Sequence, residues 1–523
     1  QLPPRHRFAL PLVGNALGVI RDPIEFQRRG HALYGPLFAA RVFGYRLTFV
    51  DPVGAPALFE QVLRAPAEVL SITEAYKELV GRIIKPELFV ETDKQLREGL
   101  SVKHINLHMG ATAAATPALV AGRLAGERGE IDGLQFCNDA VFQVIAHYLL
   151  GPAAAARSGQ ELARLLHVLE SDFSVLGMLF PIETPSARRR SAAFDRMLAI
   201  IEDEVRRRLA EGGEHADFLQ FVIDDMRADG RVASAEGFRM LSLRVLGTVF
   251  GAHTNTAMTV AACLVDLLEH PGVRARVLEE LDALPRDAPL DMAALRTLVQ
   301  LYRAMNETMR RFSTGGIWRK AMQDLELGDH RVPVGSLVGA SMGLVNLDPG
   351  RYPDPHAYRP DRYETMSTDA YQSPPVGSTP LQFGSFGSGR NLCSGRPLAY
   401  TMLGLVLAVT NLDEVVRIIR GANSPADIVM LVDAGRLFQA DQAALFQPVI
   451  QYFLNACREQ AFGKCCLPLC GRQFFGGNSA SQSRSDADPT GFSQSGDRKP
   501  ATRSHSGPGK RAGKRRRTRL RLR

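Results

Sequence analysis

Apolar positions recur at helical spacing between residues 296 and 312, where Leu298, Leu301, Tyr302, Met305, Met309 and Phe312 share one face. The pattern predicts an amphipathic helix. A longer apolar run from Met240 to Glu269 predicts a second helix, about 45 Å in length. Between Val245 and Val265 this run has no acidic or basic side chain except His253, so by length alone it would suit a membrane span. Thr248, His253, Thr254, Asn255, Thr256 and Thr259 place polar groups in its middle instead. Hydroxyls that bond back to helix carbonyls bend a helix and leave room beside it for a small ligand. Two stretches read as strands around turns. Leu37 to Val50 reads as two strands turning at Gly44-Tyr45, and Trp318 to Val334 as a hairpin turning at Gly328-Asp329. Asn411 to Gln460 returns to helical spacing, with Leu412, Val415, Val416 and Ile419, then Leu437, Phe438, Leu445 and Phe446. The chain is expected to be mainly α with a small β region.

Length and charge sharpen this picture. A chain of 523 residues ordinarily divides into two or three domains, yet no Pro/Gly/Ser-rich linker interrupts residues 1–410. Residues 471–523 carry 14 Lys+Arg and 3 Asp+Glu; their net +11 exceeds the whole chain's +8 and leaves residues 1–470 at −3. The basicity therefore belongs to the tail. Its composition buries too little apolar surface to fold, which predicts a disordered basic tail over 471–523. Lys510 to Arg523 suits nucleic acid or anionic lipid in charge, but a solvated end explains it as well, and nucleic acid is not the expected partner. Cys137 and Cys263 lie in apolar helical runs and read as core, while Cys457, Cys465, Cys466 and Cys470 match no zinc spacing. A reduced compartment fits these cysteines better than a disulfide framework.

The densest chemistry lies in Phe386-Gly-Ser-Gly-Arg-Asn-Leu-Cys-Ser-Gly395. Its glycines allow positive φ and close backbone approach around Cys393. Free amides and the positive end of the helix that begins near Leu398 are expected to lower the thiol pKa. A single thiolate without a partner cysteine suits an axial ligand to haem iron better than zinc. From this segment alone, a structural cysteine in a glycine-rich turn reads equally well. Glu307 and Arg310, three residues apart in a predicted helix, face the same way; by itself such a pair means little.

Taken together, the Cys393 loop, Glu307-Thr-Met-Arg310, Tyr358-Arg-Pro-Asp-Arg-Tyr363 and Gly251-Ala-His-Thr-Asn-Thr256 resemble the corresponding segments of the cytochrome P-450 monooxygenases. The resemblance implies a cytochrome P-450 fold and catalytic domain over 1–410. It implies haem held by Cys393, with Phe386, Gly387, Gly389, Arg390 and Gly395 shaping the loop. Glu307, Arg310 and Arg362 would form a buried, charge-assisted network that fixes this loop. Thr256, beside Asn255, would donate a hydrogen bond to bound dioxygen and help deliver protons; a shifted register gives that role to Thr254. Arg319 and His104 would approach the haem propionates.

The chain departs from the family pattern at Asn255, where an acid is usual, and at Asn391, where a base is usual. Both departures resemble the branch with sterol 7-hydroxylases and prostacyclin synthase. An amide does not relay protons as a carboxylate does, so two activities stay open. The first is a monooxygenase acting on an apolar, sterol or lipid substrate with O2 and an NADPH-dependent reductase. The second is an isomerase or dehydratase that needs no external electrons. A non-catalytic haem-binding or nucleic-acid-binding protein is a third reading. Leu2-Pro-Pro4 to Gly14 resembles the proline-rich segment that follows a membrane anchor in the family, implying membrane association and, in a eukaryote, the cytosolic face of the endoplasmic reticulum. The resemblance ends near Ala408, leaving 411–470 as an atypical helical region.

Overall fold

The computed structural model describes residues 1–410 except 8, 11–12, 82–84, 89–93, 122–128, 132, 172–183, 214, 229, 286–289, 313–314, 365–384 and 388–391, together with 520–522. The 411–470 region, and all of the tail except those three residues, lie outside the described residues. As expected, the architecture is mainly α with a small β region.

Ala235–Glu269 forms a 35-residue helix through the molecule's middle, about 52 Å long. It starts five residues earlier than the apolar run because Ser234 caps it, accepting the Gly237 N–H at 3.0 Å. Its buried face carries Leu241, Val245, Val249, Ala257, Val260, Leu264 and Leu267. Around it pack the helices Gly133–Leu150, Pro185–Glu211, Val299–Phe312 and Arg396–Val409. Burial on several sides explains why this central helix reads as apolar all round.

The periodic stretch 296–312 divides into two helices, Met292–Thr297 and Val299–Phe312, breaking at Leu298. The break has a cause that periodicity cannot reveal. Glu280, from Pro271–Asp282, turns its carboxylate onto the new helix start and accepts the N–H groups of Gln300 at 2.9 Å and Leu301 at 3.0 Å. Those amides have no partner inside the helix.

The β region is a five-stranded sheet in the order Leu37–Val42, Tyr45–Val50, Leu337–Ser341, Gly316–Ala321, Leu70–Ser71. Its first hairpin turns one residue earlier than expected, at Phe43-Gly44, with Val42 opposite Tyr45. Both turn residues have positive φ, 50° and 86°, the type I′ geometry that matches strand twist. The second hairpin is shorter than expected: only Leu325–Leu327 and His330–Val332 pair, around Gly328-Asp329. Gly316–Ala321 instead joins the large sheet, antiparallel to Leu337–Ser341. Gly339 permits this, since a Cβ there would lie 1.8 Å from the Ile317 carbonyl oxygen. Of the tail, Leu520–Leu522 pairs antiparallel with Gly129–Ile131.

Candidate active site

The helix Val299–Phe312 buries the Glu307 and Arg310 side chains completely. Arg310 donates from Nε to Glu307 Oε2 at 2.9 Å and from Nη2 to Oε1 at 2.8 Å. Arg362, in the short turn Pro360–Tyr363, adds its Nε to the same Oε1 at 3.2 Å, and the Arg359 N–H adds a fourth donor at 3.0 Å. The remaining guanidinium donors reach backbone: Arg310 to the carbonyls of Asn346 at 2.7 Å and Pro355 at 2.8 Å, Arg362 to that of Asp354 at 2.8 Å. A buried carboxylate with four donors satisfies the requirement that a buried charge be paired and hydrogen-bonded.

From this cluster the bonding continues to the cysteine. Asn346 Nδ2 donates to Ser385 Oγ at 3.4 Å, and that hydroxyl donates to the Met309 carbonyl at 3.1 Å. The next residue, Phe386, accepts the Cys393 N–H on its carbonyl at 2.9 Å. Gly387 follows with φ 70°, a conformation that glycine adopts at no steric cost. Phe386 packs its ring 5.3 Å from Tyr400, which stacks on Tyr302 at 5.3 Å. The Cys393 loop is thereby held from both sides. Gly389 and Arg390, with Asn391, lie outside the described residues.

Cys393 precedes the helix Arg396–Val409, and the Arg396 N–H donates to its carbonyl at 3.3 Å. A Cβ on Gly395 would sit 3.8 Å from Cys393 Sγ, so the chain folds closely over the sulfur. The expected lowering of the thiol pKa is overturned. Burial pushes it up, and the opposing Gly395 N–H, Arg396 charge and Arg396 N–H do not reverse the direction. Desolvation of a thiolate outweighs two amides and a guanidinium. Yet Cys393 is also solvent-accessible. Tyr76, on Ile72–Val80, shares this character: partly exposed, its hydroxyl is pushed up by burial first and by the Cys393 sulfur second.

On the central helix, Thr248 donates to the Arg244 carbonyl at 2.8 Å and Thr259 to that of Asn255 at 2.7 Å, as expected for hydroxyls in its middle. Thr256 is 5% exposed, and its hydroxyl has no hydrogen-bond partner among the described residues. Asn255 and Gly251 are exposed one turn apart, and nothing lies within 4 Å of a Cβ built on Gly251. In a helix packed along so much of its length, this leaves a bare strip. His253 points elsewhere, with its Nε2 3.0 Å from the Asn138 carbonyl.

Two of the expected haem contacts bond or pack within the protein. Arg319 is fully buried and donates to the carbonyls of Ala65 at 3.2 Å and Leu63 at 3.0 Å. His104 packs its ring 4.3 Å from His108 and 4.7 Å from Phe221; burial and the His108 charge hold its pKa down at about 4. Sequence reasoning missed Tyr76, which lies in an amphipathic helix with no motif to mark it.

The residues present fit a haem with one thiolate ligand. A single sulfur stands beside Gly395, its backbone N–H held by the Phe386 carbonyl. No group of three or more His, Cys, Asp or Glu suited to a metal ion forms among the described residues, so a cofactor that brings its own equatorial ligands suits this donor better than a closed zinc site.

Comparison with known proteins agrees. The family model described as Cytochrome P450 matches residues 121–410. Relatives include the lanosterol 14-alpha demethylases of Cunninghamella elegans, 23% identical over 441 residues and covering 78% of this chain and 84% of that protein, and of Bos taurus, 24% identical over 419 residues with coverage of 77% and 80%. The cytochrome P450 monooxygenase pyvB of Aspergillus violaceofuscus is 26% identical over 411 residues, covering 76% and 80%. Among solved structures, retinoic acid-bound cyanobacterial CYP120A1 aligns with a TM-score of 0.60 and 20% identity over 79% of this chain and 92% of that one. At that identity it speaks for the fold.

Proposed function

The chain belongs to the cytochrome P450 family, and from that premise we propose that it inserts one oxygen atom from O2 into an unactivated C–H bond of an apolar, sterol-like lipid. The second oxygen leaves as water, which requires two electrons and two protons; a separate NADPH-dependent reductase would supply the electrons. As a family member the protein is a haem-dependent oxidoreductase and a monooxygenase in broad class. Bound haem supplies the activation of dioxygen and the oxidising power for C–H insertion.

The chain's own residues have separable tasks. Cys393 supplies the thiolate, and the Phe386 carbonyl and Gly395 hold its loop. Glu307, Arg310 and Arg362 brace that loop through Ser385. Thr256 offers a hydroxyl not committed to its own helix, suited to hold and pass a proton at Oγ1. Asn255, exposed beside it, can donate and accept hydrogen bonds but cannot change protonation state, so proton delivery would run through water and Thr256. The sterol-like class rests on the relatives named lanosterol 14-alpha demethylase. No helix among the described residues is long and apolar enough to cross a membrane; an association with the endoplasmic reticulum surface follows only from the family resemblance.

The single observation that carries this reading is the continuous bonding from the buried Glu307 carboxylate to the Cys393 backbone. Its test is the reduced, carbon-monoxide difference spectrum of the purified protein. A long-wavelength Soret band that disappears in Cys393→Ser is expected, and an unchanged band in that variant would refute the assignment. Asn255 in place of an acid favours a second reading, an isomerase or dehydratase of oxygenated lipids. Turnover of a lipid hydroperoxide without reductase, with none of a sterol under NADPH, reductase and O2, would select it.

A further inference from the structure

We propose, resting on the reading of Cys393 as a haem ligand, that Asn306 is a positioning residue for the cysteine's loop, acting along a path separate from the one that starts at Glu307. Asn306 stands one position before Glu307 on Val299–Phe312 and is fully buried. Its Nδ2 donates to the Tyr302 carbonyl at 2.9 Å, and its Oδ1 accepts the Tyr400 hydroxyl at 2.7 Å. A carbonyl only accepts, so the amide nitrogen must face Tyr302 and the oxygen must face Tyr400. The bond to its own helix therefore aims the bond to the neighbouring one.

Tyr400 lies on Arg396–Val409, the helix that follows Cys393, and is 1% exposed. Its ring stacks on Tyr302 and meets that of Phe386, with centroids 5.3 Å apart in both pairs. Phe386 in turn accepts the Cys393 N–H on its carbonyl. The path from Glu307 runs through Arg310 and Asn346 to Ser385 instead. The two paths thus leave from adjacent residues of one helix and arrive at adjacent residues of one loop. Neighbouring helix positions point about 100° apart around the axis, so the loop is held from two directions, by hydrogen bonds at Ser385 and by ring packing at Phe386. A residue that is held in this way cannot easily turn or slide. An apolar side chain at 306 would fill the space but leave the Tyr400 hydroxyl without its acceptor. Groups that orient a metal's ligands from behind typically change affinity or activity by roughly 10–100-fold when removed.

The experiment follows the reduced, carbon-monoxide spectrum of the full-length holoenzyme at a fixed, sub-denaturing urea concentration, where the long-wavelength Soret band decays as the sulfur leaves the iron. Asn306→Ala is expected to shorten the half-life of that band at least fivefold and Tyr400→Phe, which keeps the ring, at least threefold, with helix content unchanged. Combining these two should change the half-life by less than a further twofold, as for one shared path; combining Tyr400→Phe with Ser385→Ala should multiply their separate effects, as for two. Leu405→Ala, buried on the same helix, should lower the urea midpoint yet leave the half-life within twofold of the wild type. Hydrogen exchange at the Cys393 amide should quicken at least fivefold in Asn306→Ala, a readout independent of the spectrum. Half-lives and Cys393 exchange within twofold of the wild type in both Asn306→Ala and Tyr400→Phe, or a half-life in Leu405→Ala as short as in Asn306→Ala, would overturn the role. A wild type without the long-wavelength band would instead overturn Cys393 as the ligand, and the amide exchange would then decide alone whether Asn306 holds the loop.

Discussion

Glu307 is the residue on which the site's architecture converges, and its removal is the sharpest single-atom experiment. Glu307→Gln keeps the shape but places a neutral amide against Arg310 and Arg362, leaving buried positive charge uncompensated. Loss of about 3–5 kcal/mol of stability is expected, read as a lower denaturant midpoint, together with faster loss of haem from the unbraced Cys393 loop. A midpoint within experimental error of the wild type would contradict the network's role. His31 offers a test by pH. Burial lowers its pKa from the ordinary 6.5, against the Gly35 carbonyl, 3.1 Å from its Nδ1, and the Asp51 charge. The folded state therefore binds a proton less readily than the unfolded state, so this contribution is present above about 6.5 and is lost as pH falls through the lower folded value. Between pH 7.5 and 5.5 the melting temperature of His31→Gln should fall less than that of the wild type; equal falls would remove His31 as a source of acid sensitivity. At this scale the sequence exposed Glu307, Arg310 and Cys393 because each lies in a short local motif. It misled on the thiol pKa because amide donors are countable in a loop, whereas the depth of protein around a sulfur is not.

At the scale of elements, the helix carrying Glu307 is joined to the central helix by a contact absent from the sequence patterns. Asp266 accepts from Thr308 Oγ1 at 2.8 Å and from Arg311 Nη1 at 2.6 Å. It is 5% exposed, and burial pushes its pKa up despite the Arg311 charge. Thr308 and Arg311 alternate with Glu307 and Arg310 around one helix, so the two clusters clamp it from different sides. Asp266→Ala is expected to cost about 2–3 kcal/mol, since it leaves the buried Thr308 hydroxyl without its acceptor and removes the carboxylate beside Arg311, whose Nε keeps the His356 carbonyl. Thr308→Val in the same background should add little, because the two share one interaction. Additive losses in that double-mutant cycle would mean that the residues stabilise separately. The partners lie 42 and 45 positions apart, and periodicity describes faces within a helix rather than pairings between helices. The same limit accounts for the strand Gly316–Ala321. Its alternation was legible, but its partner depended on Gly339, a position whose importance is visible only when another backbone lies against it. The Leu298 break was equally hidden, because the carboxylate that caps the new helix comes from Glu280.

At the scale of the whole molecule, net charge and the candidate site separate along the chain. Among the described residues, Glu307, Thr256 and Cys393 lie ahead of the end of the helix Arg396–Val409, whereas the net +11 that makes the protein basic lies in residues 471–523. If the two parts are independent, removing the tail should alter electrostatics without altering the haem site. A protein ending at residue 470 would carry −3 instead of +8. It is expected to keep the full carbon-monoxide difference spectrum and the same substrate-induced spin shift. Its retention on heparin at low salt should vanish, because that binding is a long-range, salt-screened effect of clustered Lys and Arg. Three residues qualify the expectation in a testable way. Leu520–Leu522 pairs with Gly129–Ile131, so truncation also removes a short strand partner from the segment just ahead of Gly133–Leu150. Such a two-stranded pair is only marginally stable by itself, and the melting temperature should shift by no more than about 2 °C, the low end of what 1 kcal/mol produces in a large domain. A larger drop, or loss of the long-wavelength Soret band on truncation, would show that the basic tail is part of the catalytic fold.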